Sequence, residues 1–389
     1  MKFWVALLCF ALLSACASRP VEQRPDYLFQ DALFQPPAER VGADGIFTVS
    51  GAMQRYLSSE IGRQFRTKAP QQALIDALYR KNQLRLEYDS VMTRNASEAF
   101  EARAGNCLSL VIMTAAFAKE LGLSVQYNSV HTDEMWTRSE DIYFDNRHIN
   151  LTLGSRPRDY RVTTDTANEL TIDFIPQEFL LRQWSRAIGE ETIVAMYMNN
   201  KAAEALARAR LDDAYWWARE AIRQDAKFLS SYITLGVIYR RHGQSPMAEQ
   251  VLRHVLEREP ENVNALSNMV VVLSDGGRRD EAAALARKLA RIEPNPPFRL
   301  FEQGAAALKG KDFAAARDLF SKALERGAYY HEFHFGLAVA YLGLGDFSKA
   351  RDELTVAMEN STTRKEHDLY AAKLGLIDAM RRKPRPANE

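Results

Sequence analysis

The chain has 389 residues, more than one hydrophobic core usually holds, so two or three folded units are expected. Hydrophobic residues make up 47% and charged residues 26%, a globular balance that excludes a collagenous, wholly disordered or many-span membrane chain. With 51 Lys and Arg against 50 Asp and Glu the formal net charge is +1, and nothing in that balance calls for nucleic acid as a partner.

Residues 1–16, MKFWVALLCFALLSAC, carry one cation at Lys2, an apolar run from Phe3 to Leu13, and small residues before Cys16. This is the layout of a secretory signal. A run of about eleven apolar residues is too short to span a bilayer, which takes roughly 20. Its end, Leu13-Ser14-Ala15-Cys16, resembles the lipobox of bacterial lipoproteins. The resemblance implies loss of residues 1–15 as a lipoprotein signal peptide and acylation of Cys16. With Ala17 and not Asp next, it implies a lipid anchor in the cell envelope, at the outer membrane facing the periplasm. Several acyl chains anchor stably where one is marginal. Cys9 then leaves with the signal, Cys16 carries lipid, and Cys107 remains as a lone thiol in a compartment that oxidises thiols. Such a cysteine is either a buried small hydrophobe or a thiol kept for its reactivity.

Residues 16–45 carry Pro20, Pro25, Pro36 and Pro37 among mixed charges and read as a tether, with Tyr27-Leu28-Phe29 and Leu33-Phe34 available to dock on the first domain. Residues 46–190 read as an α+β domain, helices first and an antiparallel sheet second. Helices are expected over 70–81, with Pro70 at the first position, over 95–102, with Asn95 and Ser97 as caps, and over the unbroken apolar stretch 108–121 ending at Gly122. Strands are expected over 125–130, 142–153, 160–164 and 170–175, where β-branched and aromatic residues alternate with turn formers.

From about residue 195 a small residue recurs at Ala214, Ala248, Ala282, Ala316 and Ala350, 34 residues apart without insertion. A second column holds Ala202, Gly236, Val270, Gly304 and Ala338, and Pro260 and Pro294 close two of the units. This period and these columns resemble the tetratricopeptide repeat, a helix-turn-helix unit whose small residues let paired helices approach. Five units over 195–364 imply an all-α solenoid, with 365–382 as a capping helix and 383–389 as a tail. By that resemblance the solenoid binds a protein or peptide. Ile233, Arg240, Phe298, Phe301 and Phe335 then line its groove, or pack between units instead.

The segment Ala104-Gly105-Asn106-Cys107 puts the thiol after a glycine turn at the start of an apolar helix. Backbone N–H groups and the helix dipole there favour a thiolate, and the same N–H groups suit an oxyanion. A thiol nucleophile needs a base and a group to orient it. His148 and Asp173 fall on strand patterns that can face the helix start. His131 is a competing base, in a loop-like setting before Thr132-Asp133-Glu134. Gly-x-Cys opening a helix, a strand His and then a strand Asp resemble the transglutaminase-like core of the papain-like thiol enzymes over residues 85–180. The resemblance implies Cys107 as nucleophile, His148 as base and Asp173 as its orienter, acting on an amide of a protein or peptide by hydrolysis or acyl transfer, with no cofactor. The chain departs from the family's His-Ala-Trp, having Ile149-Asn150 after the histidine. The alternative is a non-catalytic lipoprotein adaptor that works through its repeats. His331 and His334 share a helix face but have no evident third ligand, so no metal site is expected.

Overall fold

The computed structural model describes residues 25–382, except 65–66, 80–85, 89–91, 132–135, 140–141, 146–147, 155–168, 175–183, 295–296, 326, 329 and 362–363. The signal segment with Cys9 and the lipobox with Cys16, the strand expected over 160–164 and the tail 383–389 lie outside the described residues.

The first part is helical. Helix α1 (Gly51–Tyr56) continues through a π-helical turn, Leu57–Ile61, and a last turn, Gly62–Gln64. Helices α2 (Pro70–Tyr79) and α3 (Ala96–Ala102) follow, and α3 starts with a capping box: the Asn95 side chain accepts from the Glu98 N–H, and Glu98 accepts from the Asn95 N–H. A short parallel pair, β1 (Glu87–Tyr88) with β2 (Ala104–Gly105), leads into α4 (Cys107–Glu120). Every residue of α4 from Leu108 to Ala118 is buried, which is why the stretch is apolar all round and shows no amphipathic stripe.

Strands β3 (Ser124–His131), β6 (His148–Gly154), β7 (Leu170–Ile172) and β8 (Trp184–Ile188) form an antiparallel sheet in the order β7-β6-β3-β8. Alternation along β6 sends Ile149, Leu151 and Leu153 into the core against α4. The stretch expected as one strand over 142–153 is two strands with different neighbours. β5 (Ile142–Asp145) pairs with β4 (Trp136–Ser139) in a separate hairpin, and β6 joins the main sheet. The polar run Asp145-Asn146-Arg147 marks that division. Strands β1, β2, β4 and β8 are additions to the expected set.

The rest is helical: α5 (Glu190–Ala207), α6 (Leu211–Gln224), α7 (Leu229–Arg241), α8 (Ser245–Arg258), α9 (Val263–Asp275), α10 (Arg279–Ile292), α11 (Pro297–Lys309), α12 (Phe313–Leu324), α13 (His331–Gly343), α14 (Phe347–Glu359) and α15 (Arg364–Arg382). Consecutive pairs form the five repeats, and Tyr370 and Ile377 of α15 close the last core. The five recurring alanines are all buried, none more than 5% exposed. One hydrophobic core runs from Leu28 through α4 and the sheet to Ala282 on α10, and the later repeats have separate, smaller clusters.

Residues 26–39 differ from the expected tether. They lie along α6, α7 and α8, with Phe34 stacked on Tyr215 at a ring distance of 4.0 Å. The docking surface is thus the repeats and not the α+β part. The anchors are those expected to dock, and the surface differs because two apolar side chains hold an extended segment without any local pattern that says which surface they meet.

Gly336 on α13 is a point of close approach between two pairs: a Cβ there would lie 2.5 Å from the Phe320 ring, which is 1% exposed and has no room to turn away. Gly336→Ala is therefore expected to lower stability by about 1–2 kcal/mol despite alanine's better helix propensity, read by urea unfolding of the full chain.

Candidate functional site

Cys107 is the first residue of α4 and is half-buried. The residues before it fix that helix start. Asn106 is the cap: its Oδ1 accepts from the Ser109 N–H at 2.9 Å and from the Ser109 hydroxyl at 2.8 Å. The Ser109 oxygen in turn accepts from the Arg94 N–H at 2.8 Å. Gly105 is required by close approach, since a Cβ there would meet Ser109 Cβ at 2.7 Å. Asn106 Nδ2 donates to Thr93 Oγ1 at 3.0 Å. Thr93, 2% exposed, also accepts from Asn200 Nδ2 of α5 at 3.1 Å, and its N–H donates to Glu204 Oε1 of α5 at 2.6 Å.

His148 opens β6 and is 1% exposed. Its Nε2 lies 2.6 Å from Asp173 Oδ1. A carboxylate only accepts, so Nε2 carries a ring proton, and in the neutral ring Nδ1 holds the lone pair. Nδ1 has no aligned hydrogen-bond partner, while the Cys107 thiol is near enough to the ring to raise its proton affinity. Burial alone pushes the His148 pKa down. The Asp173 hydrogen bond, the Cys107 contact and the charges of both outweigh burial and push it up to about 9.

Asp173 directly follows β7, and its second oxygen accepts from Asn150 Nδ2 at 3.1 Å. Asn150 Oδ1 accepts from Asn128 Nδ2 at 3.0 Å, and the same amide reaches Thr152 Oγ1 at 3.1 Å. The three residues proposed from sequence thus stand together, and Asn150 and Asn128 extend the chain of contacts behind Asp173. Asn150 lies two residues after His148, on the same strand face, which a period-two reading can find. Asn128 needs the β3–β6 register, in which it sits opposite Asn150. His131 ends β3 opposite Trp184, and its side chain lies outside the described residues.

Of the five residues read as a groove, the four with described side chains behave otherwise. Ile233 is 7% exposed within the continuous core. Arg240 reaches Asp275 on the next repeat at 3.4 Å. Phe301 packs on Phe333 and Phe320 at ring distances of 5.2 and 5.6 Å. Phe335 packs on Tyr370 of the capping helix at 5.2 Å. The Phe298 side chain lies outside the described residues. The four that are described join helices to one another, because positions that would face a ligand in an open stack also face the next helix here. His331 and His334 diverge as well: His331 Nδ1 meets the Tyr370 hydroxyl at 2.8 Å, and His334 Nδ1 meets Glu353 at 2.6 Å. Among the described residues no three His, Cys, Asp or Glu side chains cluster as metal ligands, and no helix is long and apolar enough to cross a membrane.

The tetratricopeptide repeat family matches residues 263–288 and 307–374. The C-terminal half of the chain carries tetratricopeptide repeats. No curated protein matches the chain. Among solved structures it is similar to yeast Tom70, with a TM-score of 0.36 and 16% identity over 48% of this chain and 40% of that one. It is also similar to TTC0263, a thermophilic TPR protein of Thermus thermophilus, with a TM-score of 0.31 and 17% identity over 46% of this chain and 98% of that one. For MamA 41-end from Desulfovibrio magneticus RS-1 the TM-score is 0.26, with 20% identity over 39% of this chain and 85% of that one. Scores of this size carry nothing about function.

Because the folded-state pKa of His148 lies above the ordinary value of 6.5, its ion pair stabilises the fold fully below about pH 6.5, and that contribution fades as pH rises through about 9. Asp173→Asn is expected to drop the His148 pKa back to its ordinary value or below and to flatten the stability profile across that window, followed by imidazole NMR titration and by unfolding at about pH 6 and about pH 9.5.

Proposed function

We propose that this chain is a protein-binding scaffold whose tetratricopeptide repeats hold a polypeptide partner. The repeats themselves carry this reading, since stacked units of this kind generally offer an extended surface to proteins. The lipobox-like Leu13-Ser14-Ala15-Cys16 supports a lipid-anchored scaffold in the bacterial envelope, at the outer membrane.

One observation favours a second activity on the same scaffold: a fully buried imidazole between a half-buried thiol and a carboxylate. In this reading the α+β part is transglutaminase-like and Cys107 attacks an amide carbonyl of the held partner. His148 Nδ1 takes the thiol proton, and sulfur forms a bond to carbon. The carbonyl π electrons move to oxygen, where the N–H groups at the start of α4 receive the negative charge. The imidazolium then gives its proton to the departing amine as the C–N bond breaks. Water or a second amine, deprotonated by the same ring, releases the acyl group and restores the thiol. Asp173 holds the ring and favours its charged form.

The scaffold reading predicts that photo-crosslinking from the full-length chain in envelope preparations captures a defined partner, and that Gly336→Ala weakens the capture. The thiol reading predicts that Cys107 alkylates with iodoacetamide faster in the folded chain than in urea, and that His148→Ala slows the folded rate by roughly 10²-fold. A folded thiol no faster than the unfolded one would leave the scaffold alone. Cys16→Ser is expected to abolish incorporation of labelled fatty acid and to release the chain from membranes.

A further inference from the structure

Residues 26–39 meet the first two repeats in the manner of a bound peptide. Five of the contacts involve the segment's backbone and are indifferent to its side chains. The Gln30 N–H donates to the Tyr215 hydroxyl oxygen at 2.9 Å, the Gln35 N–H to Asp212 at 2.9 Å, and the Ala38 N–H to Asp213 at 2.8 Å. In the other direction the Tyr239 hydroxyl donates to the Leu28 carbonyl at 2.7 Å and Trp216 Nε1 to the Gln35 carbonyl at 2.6 Å.

Side-chain recognition is confined to a few points. Phe34 lies flat on Tyr215, with ring planes 5° apart, and its other edge meets His242 at 4.6 Å. Leu28 is 2% and Phe34 5% exposed, whereas Leu33 between them is 38% exposed, and Tyr27, 61% exposed, meets His254 Nδ1 of α8 through its hydroxyl at 2.8 Å. Asp31, three residues before Phe34, accepts from the Tyr215 hydroxyl at 2.5 Å and pairs with Arg219 Nε at 2.9 Å. The segment's own order is limited to two single-turn 3₁₀ helices, Asp26–Leu28 and Asp31–Leu33. Two buried anchors, one ion pair and a row of backbone hydrogen bonds are what an extended peptide offers to a protein groove. The segment is hinged to the α+β part at Ile46, whose carbonyl accepts from the Ala96 N–H, so residues 26–39 can leave while the chain stays joined.

We propose that this surface of α6, α7 and α8 is a peptide-recognition site filled in cis by residues 26–39, and that a partner polypeptide enters by displacing them. The ligand class is an extended segment with an aspartate and, three residues on, an aromatic anchor. This rests on the scaffold reading and names its site.

The test uses the full-length chain with Phe34→Ala, and with Asp31→Asn as a milder variant that keeps the ring anchor. Hydrogen exchange at the Gln30, Gln35 and Ala38 amides is expected to rise about tenfold or more in Phe34→Ala and less in Asp31→Asn, with the repeat helices unchanged. A fluorescent synthetic peptide of residues 26–39 is expected to bind Phe34→Ala at micromolar concentration and the unaltered chain at least about tenfold more weakly, while the same peptide carrying Phe34→Ala binds neither. Amides that stay protected in both variants, or a peptide that binds all chains equally or none, would overturn the proposal. A captured partner that binds a Tyr215→Ala chain as well as the unaltered one overturns this site and leaves the scaffold standing. Peptide entry without any partner in the envelope supports the site and removes the scaffold reading.

Discussion

Helix α5 has no solvent face for most of its length, and the architecture depends on that. Ile193 to Met198 are buried without interruption, and Ala202, Ala205 and Leu206 continue the burial toward the C-terminal end. One side packs on α4, the helix that carries the thiol, and the other on α6. A helix buried all round cannot be an edge. It is at once the first helix of the solenoid and a wall of the α+β core, which is why one hydrophobic cluster extends from Leu28 to Ala282.

The His148 pair is set by the same close packing. An imidazole this deeply buried would ordinarily lose its proton, because a low-dielectric surrounding disfavours charge. Asp173 and Cys107 together reverse the outcome, and Asp173 keeps its orientation because Asn150 holds its other oxygen and Asn128 holds Asn150. Each amide in this row is itself satisfied, as buried polar groups must be if they are not to cost stability. Asn150, two residues after His148 on the same strand face, is placed to give its amide to the carboxylate.

What could be read in the sequence follows from which signals are local. Five alanines at a fixed step report helix pairs directly, because close approach at each repeat tolerates little else. The apolar run after Cys107 reports a buried helix for the same kind of reason. His148 and Asp173 were visible as polar residues on strand patterns. Asn128 was not, since its role depends on which residue of β6 lies across from it. Ile233 and Phe301 show the limit of column rules: the same positions serve a ligand in an open stack and a neighbouring helix in a closed one. In the docked segment Leu28 and Phe34 stood out as apolar residues able to dock, but the surface they meet did not, since many of its contacts run through backbone atoms, which every sequence possesses.

Thr93 gives this arrangement a mechanical meaning. Its hydroxyl holds the cap of α4 with one bond and Asn200 of α5 with another, while its amide is fastened to Glu204. At 2% exposure the side chain is packed on every side, so the joint has little give. A tilt of the first solenoid helix therefore reaches Asn106, the cap of α4, through a single residue, so the repeats and the α+β part are coupled at this joint.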